Sequence, residues 1–217
     1  MSKDGQALVE RIEAYILRYV SFPAELSGQA LVLALWAVHT WLYERFPATP
    51  YLTITASVKQ AGKTLCMEVL ALICRQCHIM ATLRPLAMLR VIDVHDGRCT
   101  IGVDEAEKLK SGAVGDLRSI FTTGYTQGGE HYITVKTREY IRFKTFTPKM
   151  FALIGDVMDV VRDRSIVAHL RRDTPAEDFR ANKATASVEA QAIVADLLGY
   201  FAHVSDVPLV QPMFLDG

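Results

Sequence analysis

Apolar residues recur along the first stretch of the chain with the spacing of a helix. Leu8, Ile12, Tyr15, Ile16 and Tyr19 share one face, which predicts a helix over residues 6–20. Ser21-Phe22-Pro23 stops it, because proline cannot continue a helix. Ser27 is placed to cap a second helix that runs to about Tyr43. The apolar run Ala30–Tyr43, interrupted by His39, is too short to span a bilayer and reads as a buried helix. Phe46-Pro47-Ala48-Thr49-Pro50 follows as a linker.

Beyond the linker the period changes. Tyr51 to Thr55 is a short β-rich run, then comes a loop at 57–62, then a helical stretch from Lys63 to about Cys77. A short strand is expected near His78–Thr82, a helix from Pro85 to about His95, and a buried strand from Cys99 to Val103. Residues 113–123 read as helix. Tyr132–Lys136 and Tyr140–Phe143, joined by Thr137-Arg138-Glu139, read as a β-hairpin. Lys149–Ile154 is a further apolar strand, residues 157–163 a short helix, Ser165–Leu170 a strand, and residues 176–203 a helix with Val188, Ile193, Leu197 and Leu198 at helical spacing. Strands alternating with helices predict an α/β fold with a central, mostly parallel sheet flanked by helices. The expected organisation is an N-terminal helical layer over 1–48, a core over 49–175 carrying the hairpin as an insertion, and a C-terminal helical segment over 176–217.

Composition narrows the class. Of 217 residues half are hydrophobic, enough for a substantial core, and the 24 basic and 24 acidic side chains cancel. Overall charge therefore draws no nucleic acid, and any such surface is a local patch. The four cysteines do not form the framework of a small secreted domain, and the first residues carry no signal-peptide pattern. A soluble, reducing, cytoplasmic setting with no membrane is the expectation.

The chemistry concentrates at two places. Ser57-Val58-Lys59-Gln60-Ala61-Gly62-Lys63-Thr64 has the form of a phosphate-binding loop between a strand and a helix, with Ser57 where glycine would open the pattern. Backbone N–H groups at a helix start, here around Ser57, Gln60, Ala61, Gly62, Lys63, Thr64 and Leu65, bind phosphate oxygens with help from the helix dipole. Lys63 would reach the β- and γ-phosphates of ATP, and the Thr64 hydroxyl would ligate Mg²⁺. The second place is Asp104-Glu105, which closes an apolar strand. In a P-loop ATPase Asp104 would hold the Mg²⁺ shell and Glu105 would polarise the attacking water. A chance Gly-Lys-Thr and an ordinary acidic strand end are the alternatives for the two motifs taken singly; their order along the chain favours function.

With these stretches the sequence resembles the AAA+-like P-loop ATPase module of phage and mobile-element replication proteins of the primase-helicase kind. The resemblance runs from about Trp41 to Arg172 and rests on Tyr51–Thr55, Gly62-Lys63-Thr64, Asp104-Glu105-Ala106, Thr147-Pro148-Lys149 with Ala152–Gly155, and Asp163-Arg164-Ser165-Ile166. It implies assembly of a homo-oligomeric ring such as a hexamer, Mg-dependent ATP hydrolysis, and work on DNA as a helicase or replication-initiation motor. It also implies that Arg164, with Arg162 as second choice, reaches the γ-phosphate bound by a neighbouring subunit, and that Asp156 stands where a polar residue senses that phosphate. In the hairpin, Lys136, Arg138 and Arg142 with Tyr132, Tyr140 and Phe143 could meet phosphates and bases of DNA; packing of the aromatics on the core is the plainer reading.

Other signals read as structural. Cys74-Arg75-Gln76-Cys77-His78 spells a haem-attachment motif but sits at a helix end, so its cysteines read as small buried apolar groups. His39 reads as a hydrogen-bonded core histidine, and Trp36 and Trp41 as core or interface residues. Two rival functions remain open at this stage: an ATP-binding assembly or switch module with little hydrolysis, suggested by Ser57, and a nucleotide kinase, opposed by the want of an arginine-rich lid after the acidic motif.

Overall fold

The computed structural model describes residues 3–26, 28–56, 58, 60–81, 84–106, 114–136, 139–155, 158–171 and 175–204. Helix α1 (Lys3–Tyr19) and helix α2 (Gln29–Leu42) lead into strand β1 (Tyr51–Ala56), helix α3 (Lys63–Ala71), strand β2 (Cys77–Met80), helix α4 (Pro85–Val94) and strand β3 (Thr100–Val103). Helix α5 (Val114–Thr123), the hairpin β4 (Glu130–Lys136) and β5 (Glu139–Lys144), strand β6 (Lys149–Ile154), helix α6 (Asp159–Arg162), strand β7 (Ser165–Leu170) and helix α7 (Lys183–Val204) complete it.

Five strands form one sheet in the order β2-β3-β6-β1-β7, and every pair in it is parallel. The α/β expectation with a parallel sheet therefore holds. Side chains alternate across it. Leu52, Ile54, Ala56, Met150, Ala152 and Ala168 face one core, shared with α1, α2, α3 and α7. Tyr51, Ile101, Val103, Phe151 and Leu153 face a second core, closed by α4, α5 and Val160-Val161. Continuous apolar strands are what a sheet covered on both faces requires.

Several boundaries move. The helix after the loop ends at Ala71 and not at Cys77; the chain turns through 72–76, with Gln76 at φ 39°, to start β2 at Cys77. The last helix starts at Lys183, because the Asp178 carboxylate accepts the Arg180 N–H at 2.9 Å and holds a turn ahead of it. Its buried stripe is Ala186, Ala190, Ile193 and Leu197, whereas Val188 and Leu198 are exposed. Small alanines let α7 lie close to α1, which the expectation built on larger side chains missed. The proposed cap Ser27 lies outside the described residues. No described helix is long and apolar enough to cross a membrane.

Candidate functional site

The ends of β1 and β6 lie in register, with Ala56 beside Ile154, and the Thr55 hydroxyl reaches the Gly155 carbonyl at 3.5 Å. β1 lies between β6 and β7, neither its sequence neighbour, and the carboxyl end of such a strand is the usual ligand position in open parallel sheets. The chain leaves β1 there and enters α3 through Gly62, whose φ of 81° is a left-handed conformation open to glycine. Gln60 also takes a positive φ, 59°. Ala61 is buried beneath the turn and Gln60 is exposed above it. No side chain caps α3 and its first turn carries no acid, so its leading N–H groups, those of Lys63, Thr64 and Leu65, are not capped by a side chain and are available to an anion. The Lys63 ammonium folds back toward the Val58 carbonyl at 3.5 Å. Ser57 lies outside the described residues.

Asp104 closes β3 on the same edge of the sheet. Its N–H donates to the Met80 carbonyl at 3.1 Å, and its carboxylate accepts the Glu105 N–H at 2.9 Å. The Thr64 hydroxyl lies 3.0 Å and 3.3 Å from the two Asp104 carboxylate oxygens. Two residues 40 positions apart thus meet in front of the loop. Glu105 is exposed beside them, with a φ of 53° that a non-glycine residue adopts at a cost of about 1 kcal/mol or more. A hydroxyl and a carboxylate are hard oxygen donors, the set with which Mg²⁺ is held when phosphate and water complete its shell.

The two arginines stand elsewhere. β7 pairs with β1 from Tyr51 beside Ser165, so Arg164 sits at the amino edge of the sheet. Its guanidinium donates to the Val160 carbonyl at 3.0 Å and lies 5.7 Å from the Tyr125 ring centre. Arg162 is more than half exposed and only loosely paired with Asp163, at 3.8 Å.

No family model matches the chain, and no curated protein matches it. Among solved structures it is similar to the C-terminal region of NrS-1 (13% identity, TM-score 0.46, over 94% of this chain and 46% of that one). It is similar also to JCV helicase with a bound inhibitor (9% identity, TM-score 0.48, 95% and 68%) and without one (12% identity, TM-score 0.42, 96% and 70%). The chain spans less than half the length of the NrS-1 region it matches.

The hairpin stands apart from the main sheet. Phe143 is buried on its inner side, but Tyr132 and Tyr140 are exposed on the other, their rings 5.5 Å apart and edge to face. The plainer reading, in which all three aromatics pack on the core, is corrected for two of them. Arg142 shares that outer face and pairs with Glu130 at 3.4 Å. Arg138, Asp156 and the Lys136 side chain lie outside what is described.

The structural readings of the remaining signals hold. His39 Nε2 and the Thr49 hydroxyl share a hydrogen bond at 2.9 Å, and burial lowers the histidine pKa to about 4. Trp36 and Trp41 donate to the Pro50 and Ile73 carbonyls, both at 2.9 Å. Cys74 is buried and its thiol is raised well above the usual value by burial, while Cys77 is half-buried at the start of β2 with its thiol pushed up to about 12. Two arrangements had no local signature in the sequence. The Gln29 amide pairs with both main-chain groups of His169 and covers part of the open edge of β7. Lys149 is wholly buried.

Proposed function

We propose that the chain is a Mg-dependent ATPase of the P-loop, AAA+-like kind and serves as the motor module of an oligomeric DNA helicase or replication-initiation protein. The observation that carries this is the meeting of Thr64 and Asp104 in front of the uncapped start of α3. The α3 amides and Lys63 would bind the phosphates of ATP. Thr64 and Asp104 would hold Mg²⁺, which neutralises charge on the β- and γ-oxygens. Glu105, exposed next to that pair, would orient and deprotonate the attacking water, and phosphate would leave to solvent.

Neither Arg162 nor Arg164 can serve this site from within the same chain. Arg162 and Arg164 lie at the far end of six-residue strands, about 20 Å away. A ring of copies, such as a hexamer, would bring one subunit's arginine to its neighbour's phosphate. The family resemblance points to Arg164; the exposed guanidinium favours Arg162. The exposed tyrosines of the hairpin suit stacking on single-stranded bases.

Steady-state phosphate release with and without single-stranded DNA tests the proposal. Wild type turns over and DNA stimulates it; Glu105→Gln still binds ATP but loses about 100-fold or more in turnover. Binding without turnover in wild type would favour the switch module instead.

A further inference from the structure

Lys149 opens β6 and is fully buried, yet no carboxylate among the described residues pairs with it. Its ammonium donates to three main-chain carbonyls: Thr145 at 2.8 Å, Thr147 at 3.0 Å and Gly124 at 3.5 Å. Three N–H donors meet three acceptors, which is the condition for burying an ammonium. The Tyr51 ring, 5.2 Å from the nitrogen, adds its π face. Burial without a counter-charge lowers the pKa to about 7.

The placement of those carbonyls gives the cluster its meaning. Gly124 directly follows α5, Thr145 directly follows β5, and Thr147 lies in the short connection from β5 to β6. They are the two roots of the segment that carries the hairpin. Gly129 and Thr145 join the same roots through an N–H donated at 2.9 Å, and the Thr123 and Thr145 hydroxyls lie 3.0 Å apart. The other end of β6 is Ile154, next to Gly155 and the Thr55 hydroxyl at the edge that bears the candidate phosphate site. One strand, about 17 Å long at the usual rise per residue, therefore runs from the hairpin's root to the neighbourhood of the loop.

We infer that Lys149 is a positioning residue that pins both roots of the hairpin to β6 and so sets the hairpin against the sheet edge that carries the phosphate site. The link to nucleic acid rests on the function proposed above; the pin itself does not. A methionine of similar length would fill the same space, but it would leave three buried carbonyls without donors.

Amide exchange on the full chain tests this. In Lys149→Met, the amides of β4 and β5 exchange about 10-fold faster or more, while those of β1 and β7 keep wild-type rates. DNA stimulation of turnover falls several-fold, with basal kcat and the KM for ATP within about twofold. A second variant, Gly124→Ala, presses on the same cluster, because the added Cβ would stand 2.5 Å from the Lys149 nitrogen; it gives the same selective loosening. Unchanged hairpin exchange in Lys149→Met overturns the inference. So does loosening spread evenly over the sheet, or loss of the whole fold in both variants. A wild type that DNA does not stimulate sinks the nucleic-acid reading, while the exchange rates still decide the pin.

Discussion

Arg164 and Lys63 stand at opposite edges of one sheet, because β7 and β1 start together, with Ser165 beside Tyr51, and the loop leaves β1 at its other end. If Lys63 binds phosphate as proposed, Arg162 or Arg164 would reach it from a second copy.

Trans action predicts complementation. Lys63→Ala lacks the amine proposed to bind phosphate but keeps its arginines; Arg162→Ala keeps the loop but lacks the exposed guanidinium. Each alone loses turnover by about 1,000-fold, the scale of a removed arginine finger. Mixed in equal amounts, they regain a measurable part of wild-type phosphate release. Failure to regain any, with mixed oligomers present by mass, would remove the trans assignment.

Arg164→Ala should behave differently. Loss of the bond to the Val160 carbonyl and of the contact with Tyr125 costs about 1–2 kcal/mol, or a Tm lower by about 3–6 °C. An unchanged Tm together with abolished turnover would assign the catalytic role to Arg164 and not to Arg162.

The tyrosine pair on the hairpin gives a separate readout. Replacing Tyr132 and Tyr140 together by alanine removes exposed rings that the core does not need. Affinity for single-stranded DNA, measured by fluorescence anisotropy, should fall by about 10-fold or more, at about 1–3 kcal/mol per stacked base. The Tm should stay within about 2 °C. Unaltered affinity would leave the hairpin without a nucleic-acid role.

The helical layer carries a pH dependence. His39 is held neutral by burial, with its pKa lowered from 6.5 to about 4. Between those values the unfolded chain binds a proton that the folded chain resists, so stability falls as pH drops from 6.5 toward 4. Above 6.5 both states are neutral and the histidine contributes no slope. The loss is about 3 kcal/mol at most. Denaturant titrations at pH 7 and pH 4.5 should show a smaller difference for His39→Gln than for wild type; an equal difference would place the acid sensitivity elsewhere.

What could be read in advance follows from range of interaction. The strand, loop and helix around Gly62-Lys63-Thr64 are encoded by neighbours in sequence, so their order and type were legible. So was the pairing of that loop with Asp104-Glu105, because two helix–strand units, α3-β2 and α4-β3, separate them and a parallel sheet returns the chain to the same edge. The end of α3 was not legible: Cys74 and Cys77 suit either a helix or a buried turn, and tertiary packing selected the turn. Nor was the exposure of Tyr132 and Tyr140, since alternation alone does not say which face of a hairpin meets the protein. Nor was the burial of Lys149, because its ammonium meets the nearby Thr145 and Thr147 carbonyls together with that of Gly124, 25 residues away, and this last partner is set by the fold.

The site where Thr64 meets Asp104 is tested most directly by calorimetric titration of ATP into the protein with and without Mg²⁺. The account predicts binding that weakens about 10-fold or more when Mg²⁺ is withdrawn, and that Asp104→Ala loses this metal dependence while Lys63→Ala loses binding itself. Wild-type protein that takes up no nucleotide, or binds it equally well after Lys63→Ala, would contradict it.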